Sequence, residues 1–299
     1  MFTPAYYKLN DEAGWVDRVE QAYELMRECR VCPNACEVRR MEGERGLCGA
    51  DQNIRVSSFG PHFGEERVLV GRYGSGTIFM AHCNLRCVFC QNYPLSHHGQ
   101  GEVVSEEQLA EIMLHLQDRG CHNINLVTPT HFAPQILAAV GLAATRGLKI
   151  PIVYNCGGYE SVEMLRLLED VVDIYMPDFK YGRADVGLRL SHVPDYPTVA
   201  QAALREMHRQ VGDLTVDDRG LATRGLLVRH LVLPNDLAGT AEVIRFLAEE
   251  ISPATAINVM DQYYPHYQAW KHPDINRPIY SEEYARAVSL ARQAGLRLL

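Results

Sequence analysis

Cys83, Cys87 and Cys90 share one short loop, in the stretch Gly76-Thr-Ile-Phe-Met-Ala-His-Cys83-Asn-Leu-Arg-Cys87-Val-Phe-Cys90. An apolar, strand-like run feeds directly into this C-x3-C-x2-C spacing. Three thiolates suit three irons of a cubane cluster, and with no fourth local thiolate one iron is left open to a small molecule. A closed structural site would recruit four protein ligands, so the deficit points to chemistry. The competing readings are a zinc knuckle and three core cysteines. Core cysteines, however, are usually scattered and inert.

A second group, Cys29-x2-Cys32-Pro-Asn-Ala-Cys36-x11-Cys48-Gly, is punctuated by Gly43, Gly46 and Gly49. Four thiols close a coordination shell, which suits tetrahedral zinc or a complete iron–sulfur cluster. All-thiolate ligation serves both metals. The cluster loop already present tips the expectation towards a second [4Fe–4S]-type centre over zinc. A disulfide pair or a vestigial knot is the competing reading. An iron centre here could relay electrons or anchor a substrate, whereas zinc would brace the fold.

Composition narrows the setting. The chain has 299 residues, 47% apolar and 22% charged, with a formal net charge of −8. That charge, without a basic stripe, argues against nucleic acid but leaves a basic protein partner open. No apolar run reaches the roughly eighteen residues of a membrane span. The N-terminus, Met1-Phe-Thr-Pro-Ala-Tyr-Tyr-Lys, lacks the layout of a signal peptide. A cytoplasmic address is expected, in which cysteines serve as metal ligands and buried thiols, not as disulfides.

Apolar, β-branched runs at 76–81, 123–128, 150–154, 171–176, 226–233 and 256–260 alternate with helical patterns at 105–119, 133–147, 160–170, 197–212, 238–251 and 281–295. The clearest helix follows Ser105, with Gln108 completing a capping box and Leu109, Ile112, Met113 and Leu116 on one face. Such alternation implies a parallel sheet with right-handed crossovers. Polar groups follow successive strands: Thr128-Pro-Thr-His131, Asn155-Cys-Gly-Gly158, Asp178-Phe-Lys180, Pro234-Asn235 and Asp261-Gln-Tyr-Tyr264. Their spread over five strand ends favours a barrel over an open sheet with one switch point. Residues 1–75, with a helix near 14–28, form an N-terminal metal-binding extension, and residues 76–299 form the core.

The cluster loop, with Phe89 before its last cysteine, resembles that of the radical S-adenosylmethionine (SAM) enzymes. From about residue 29 the chain is similar to a subgroup of pyruvate formate-lyase activating enzyme-like proteins with an N-terminal four-cysteine group. Gly46-Leu-Cys48-Gly49, Cys90-Gln-Asn-Tyr93, Asn123-Ile-Asn-Leu-Val-Thr-Pro-Thr-His131, Met176-Pro-Asp-Phe-Lys-Tyr181 and Val228-Arg-His-Leu-Val-Leu-Pro-Asn235 carry that likeness. The resemblance implies an α/β fold, a partial (β/α)6 TIM-like barrel, and a [4Fe–4S] cluster on Cys83, Cys87 and Cys90. It further implies SAM contacts from Phe89, Asn155, Asp178, Lys180 and Arg229. The implied activity is reductive cleavage of SAM and hydrogen abstraction by a 5′-deoxyadenosyl radical. The electron donor would be a flavodoxin or ferredoxin, and the substrate a glycyl radical enzyme, another peptide or a small metabolite. A non-catalytic iron–sulfur or zinc-binding assembly protein is the alternative from another class.

Two departures stand out. The activating enzymes carry Gly-Gly-Glu after the second strand, where this chain has Thr128-Pro129-Thr130-His131. His131 is therefore expected either in substrate chemistry or as a structural imidazole bonded to a carbonyl. The four-cysteine group is the other departure, absent from the simplest activating enzyme. Cys121 is expected as a buried thiol, and Cys156 as a packed thiol with a substrate-facing thiol as the alternative. The aromatic loop Gln262–Trp270 is expected at the substrate, or packed against the barrel's bottom or a partner.

Overall fold

Near-continuous apolar strands must be covered on both faces, which requires helices outside and a filled interior within. The computed structural model describes residues 2–9 and 12–299 and has that arrangement. In chain order, α1 (Glu12–Glu24) leads through the first cysteine group to β1 (Ile54–His62), α2 (Arg67–Val70) and β2 (Ser75–Met80). Next come α3 (Tyr93–Ser96), β3 (Glu102–Val104), α4 (Glu106–Asp118), β4 (Ile124–Val127), α5 (Ala133–Thr145), β5 (Ile152–Cys156), α6 (Val162–Leu167) and β6 (Ile174–Pro177). The chain finishes with α7 (Ala184–Ser191), α8 (Tyr196–Val211), β7 (Thr215–Val216), β8 (Ala222–Leu231), α9 (Thr240–Phe246), β9 (Ala256–Met260), α10 (Ser281–Gln293) and β10 (Arg297–Leu298).

Strands β2, β4, β5, β6, β8 and β9 are parallel neighbours in that order, as a partial (β/α)6 barrel requires. β10 extends the β9 edge in parallel, while β1 and β3 add antiparallel strands beyond β2. Side-chain alternation is clean. Ile152, Tyr154 and Cys156 point to the helix layer, whereas Val153 joins Ile174, Met176, Leu227 and Ala256 in an inner cluster. A strand's period of two then puts Asn155, Asp178, Arg229 and Asn258 on that inner face as well.

β2 and β9 share no ladder among the described residues, which leaves a lateral seam. The segment before and within α2 fills it. Asn258 on β9 donates to Glu66 (2.9 Å), Asn123 donates to the Leu69 carbonyl (2.9 Å), and Leu69 is fully buried. At the other end of the strands, Ala5 donates to Asp173 (2.7 Å) and Tyr6 to the Ile150 carbonyl (2.9 Å), strapping the N-terminal segment beneath the barrel.

The capping box on α4 forms as expected, with Leu109, Met113 and Leu116 buried. The expected helix at 238–251 divides into α9 and a π-helical turn, Leu247–Ile251. β1, β3, β7, β10, α2, α3 and α7 were not anticipated. β1 reads Ile-Arg-Val-Ser-Ser-Phe-Gly-Pro-His, and as an antiparallel strand near the sheet's edge it needs no continuous apolar run.

Candidate functional site

The loop after β2 brings Cys83, Cys87 and Cys90 together at the C-terminal ends of the strands, where parallel barrels build their sites. Each sulfur has a donor aimed at it. The Leu85 N–H reaches Cys83 (3.4 Å), the Ser191 hydroxyl donates to Cys87 (2.9 Å), and the Ser96 hydroxyl lies 3.0 Å from Cys90. Burial pushes the Cys83 and Cys90 thiols up, and the neighbouring Cys87 adds to that; the Lys180 ammonium pulls both back down. Three sulfurs, each with a hydrogen-bond donor and with a cation nearby, fit a thiolate-ligated cluster. Phe89 is buried, with its ring edge-on to Tyr263 at 5.6 Å.

Lys180 ties this loop to the inner face of the barrel. Its ammonium donates to Asp178 (2.5 Å), Arg229 Nε donates to the other Asp178 oxygen (2.8 Å), and Arg229 Nη2 donates to Asn155 (2.7 Å). Burial alone would raise Asp178, but Arg229 and Lys180 together hold its carboxyl below the ordinary range. Burial also works against the Lys180 charge, and Asp178 more than restores it. The four residues from three strand ends thus form one connected polar set. Tyr196 fixes the turn carrying Asp178 and Lys180, accepting the Lys180 N–H (2.8 Å) and donating towards the Asp178 carbonyl (2.8 Å). Gly158, at φ +77°, lets β5 pass this turn, because a Cβ there would lie 2.3 Å from the Asp178 carbonyl.

Glu65 and Glu66 were not expected here. The seam segment brings Glu65 to 3.7 Å from Arg229 and Glu66 onto Asn258. Neither acid lies in a periodic element, so the sequence carried no signal for them. Asn125 and Asn258 were legible in principle, as lone amides at inward positions of otherwise apolar strands.

The four N-terminal cysteines also assemble. Cys29 feels the charge of Cys36, Cys32 that of Cys48 and Cys29, and Cys48 that of Cys29 and Cys36. Gly46 sits among them, where a Cβ would lie 3.1 Å from the Cys36 sulfur and 3.5 Å from that of Cys48. Burial raises the Cys29 and Cys48 thiols, against the pull of Arg40. Arg40 is completely buried and donates to the carbonyls of Asp51 (2.7 Å) and His131 (2.7 Å). Asn34 bridges the two cysteine groups by donating to the carbonyl of Asn84, next to Cys83 (2.8 Å). All nine cysteines are free thiols. Among the described residues, no three or more His, Cys, Asp or Glu side chains are arranged around a single ion. The thiolates of a cubane need not be, since each binds a different iron.

His131 donates from Nε2 to the Ala81 carbonyl (2.8 Å), and burial pushes its pKa down to about 3, so it is a neutral, structural imidazole. Cys121 and Cys156 are buried, the latter on the outer face of β5. The aromatic loop does not pack at the barrel's bottom. It lies on the cluster loop, with Gln268 N–H bonded to the Val88 carbonyl (2.8 Å), Gln91 to the Gln262 carbonyl (2.9 Å), and Tyr267 stacked on Tyr93. A groove of about 940 Å³ lies elsewhere, between α1 and helices α4 and α5, lined by Trp15, Val19, Tyr23 and Leu142. No helix among the described residues is long and apolar enough to cross a membrane.

Comparison with known proteins gives a consistent result. Residues 77–217 match the Radical SAM superfamily. The uncharacterized protein MJ0674 of Methanocaldococcus jannaschii is 35% identical over 292 residues, spanning 94% of this chain and 79% of that protein. The uncharacterized protein MJ0808 of the same organism is 25% identical over 291 residues, spanning 90% and 79%. Among solved structures, HydG, a maturase of the [FeFe]-hydrogenase, superposes with a TM-score of 0.50 at 13% identity. That match covers 73% of this chain and 49% of HydG, and it is a likeness of fold.

Proposed function

Because this chain belongs to the radical SAM superfamily, we propose that it is an enzyme that cleaves SAM reductively and takes a hydrogen atom from a substrate. The observation that carries this reading is the hydrogen-bonded Lys180–Asp178–Arg229–Asn155 set, placed at the same strand ends as the three-cysteine loop. Cys83, Cys87 and Cys90 would hold the cluster. When bound, a [4Fe–4S] cluster and SAM supply a one-electron reduction and a 5′-deoxyadenosyl radical, chemistry that belongs to the cofactors.

The protein's own residues bind, orient and exclude. Asp178 offers a carboxylate to the ammonium or ribose of SAM, Arg229 a guanidinium to its carboxylate, and Asn155 an amide to a ribose hydroxyl. These side chains hold one another before any ligand arrives, so binding exchanges partners and does not have to order free side chains. Phe89, braced by Tyr263, closes the site from the side of the aromatic loop. No side chain need act as a general acid or base.

At a finer level we read the chain as activating-enzyme-like, acting on a glycyl radical protein or another substrate that enters the barrel, with a flavodoxin or ferredoxin as donor. Cys29, Cys32, Cys36 and Cys48 would bind a second centre, an iron–sulfur cluster in preference to zinc. The test is anaerobic reconstitution followed by reduction in the presence of SAM. Wild-type protein should release 5′-deoxyadenosine, and the triple Cys83→Ala, Cys87→Ala, Cys90→Ala variant should release none while keeping its circular dichroism. Undiminished product from that variant would end the assignment; a silent wild type would favour a non-catalytic assembly protein.

A further inference from the structure

We propose that the barrel interior beside Arg229 binds a protonated amine carried by the substrate, with Glu66 as its counter-ion and Asn125 and Asn258 as hydrogen-bonding walls. The inference rests on the radical SAM reading above and adds the chemical class of the substrate. It begins with orphaned groups. Asn125 is completely buried, and neither its amide nitrogen nor its oxygen has a hydrogen-bond partner. On the Glu66 carboxylate, Oε1 accepts from Asn258, whereas Oε2 is buried without a partner. Polar atoms sealed from water without partners are costly in a folded protein, and each such case needs an explanation.

Both groups face the interior. Asn125 pairs in register with Thr77 on one side and Val153 on the other, and Val153 belongs to the inner cluster. Its strand neighbours Ile124 and Leu126 pack outward into the helix layer. Asn258, which steers Glu66, is in register with Arg229 and two positions beyond the inner Ala256. Asn125 therefore lies one inward position below the level at which Asn155 meets Arg229.

Charge selects the ligand. His62 Nδ1 comes within 3.1 Å of Glu65, but the pair lacks hydrogen-bond geometry. The three carboxylates Glu65, Glu66 and Asp178 face the two permanent cations Lys180 and Arg229, and His62 stands beside Glu65, not Glu66. One negative charge is left over, beside an acceptor with no donor. An ammonium brings three donors and a positive charge. An anionic group would add to the excess, and a hydroxyl would leave it standing. The Asn125 amide, deeper in, would meet a carbonyl or hydroxyl of the same molecule.

The experiment uses the full chain, reconstituted anaerobically and saturated with SAM, with n-butylamine as probe and 1-butanol and butyrate as matched controls. Calorimetric titration should detect the amine but neither control. In Glu66→Gln the amine affinity should fall at least about tenfold, the loss expected for one charge-assisted bond. Asn258→Ala, which frees Glu66 without removing its charge, should show a smaller loss. SAM affinity should change less than amine affinity in both variants. An amine no tighter than the alcohol would show the interior to be merely hydrated and overturn the proposal. Equal loss of SAM affinity in Glu66→Gln would assign the carboxylate to the ammonium of SAM itself, which also overturns it. Should wild-type protein fail to bind SAM, the functional reading falls, while the amine titration of SAM-free protein still judges this site separately.

Discussion

At the scale of single residues, Arg229 has the most to lose. It holds Asp178 and Asn155 directly and lies beside Glu65. Arg229→Ala leaves buried acceptors without a donor, so SAM affinity should drop roughly tenfold to a hundredfold in a titration, with the cluster's absorbance retained. Glu160 makes a different prediction. Its carboxylate accepts from Thr130 (2.7 Å) and Tyr154 (3.1 Å), yet burial outweighs these bonds and pushes its pKa up to about 7. Folded protein therefore keeps a proton here at pH values where the unfolded chain has lost it. Stability from this group is full below the ordinary carboxylate range and declines as pH rises to about 7, by at most about 3 kcal/mol. Glu160→Gln should remove that decline in denaturant melts across the window; an unchanged slope would place the charge elsewhere.

At the scale of elements, Gly46 tests the four-cysteine loop. A β-branched side chain between the Cys36 and Cys48 sulfurs would force them apart. Gly46→Val should lower metal content at the N-terminal centre, as read by metal analysis in the background lacking Cys83, Cys87 and Cys90, and should leave 5′-deoxyadenosine release intact when the barrel triad is present. Elements whose residues carry their own pattern were legible in the sequence. The six parallel strands declare themselves through apolar runs, α4 through Ser105 and Gln108, and the cluster loop through its spacing. What stayed hidden depends on partners far along the chain. Glu65 and Glu66 look like surface acids until Arg229 and Asn258 arrive beside them. β1 becomes a strand because β2 offers it an edge. The aromatic loop has no periodicity to say which end of the barrel it covers, and its contacts with Val88, Gln91 and Tyr93 decide that.

At the scale of the whole molecule, the extension and the barrel share structure beyond the seam and the strap beneath the barrel. β1 pairs with β2, Arg40 grips the His131 carbonyl, and Asn34 reaches Asn84. Protein lacking the barrel triad should consequently retain metal at Cys29, Cys32, Cys36 and Cys48. Near four irons per chain would identify a cluster, about one zinc a brace, and neither metal would refute a centre there. Removing residues 1–75 should destabilise the remainder, since it would expose the β2 edge and open the seam. A truncated chain with an unaltered melting curve would contradict that.

The seam has a consequence in time. Its filler is made early, but the β9 residue that receives it, Asn258, is 192 positions further on. A ribosome releasing the chain from its N-terminus must expose nearly all of the barrel before Glu66 can dock. Contacts of such long range form late, because the entropy of closing the loop must be met first. Glu66 thus takes its place only as the last parallel strand but one is laid down, so incompletely made chains would lack a finished binding chamber.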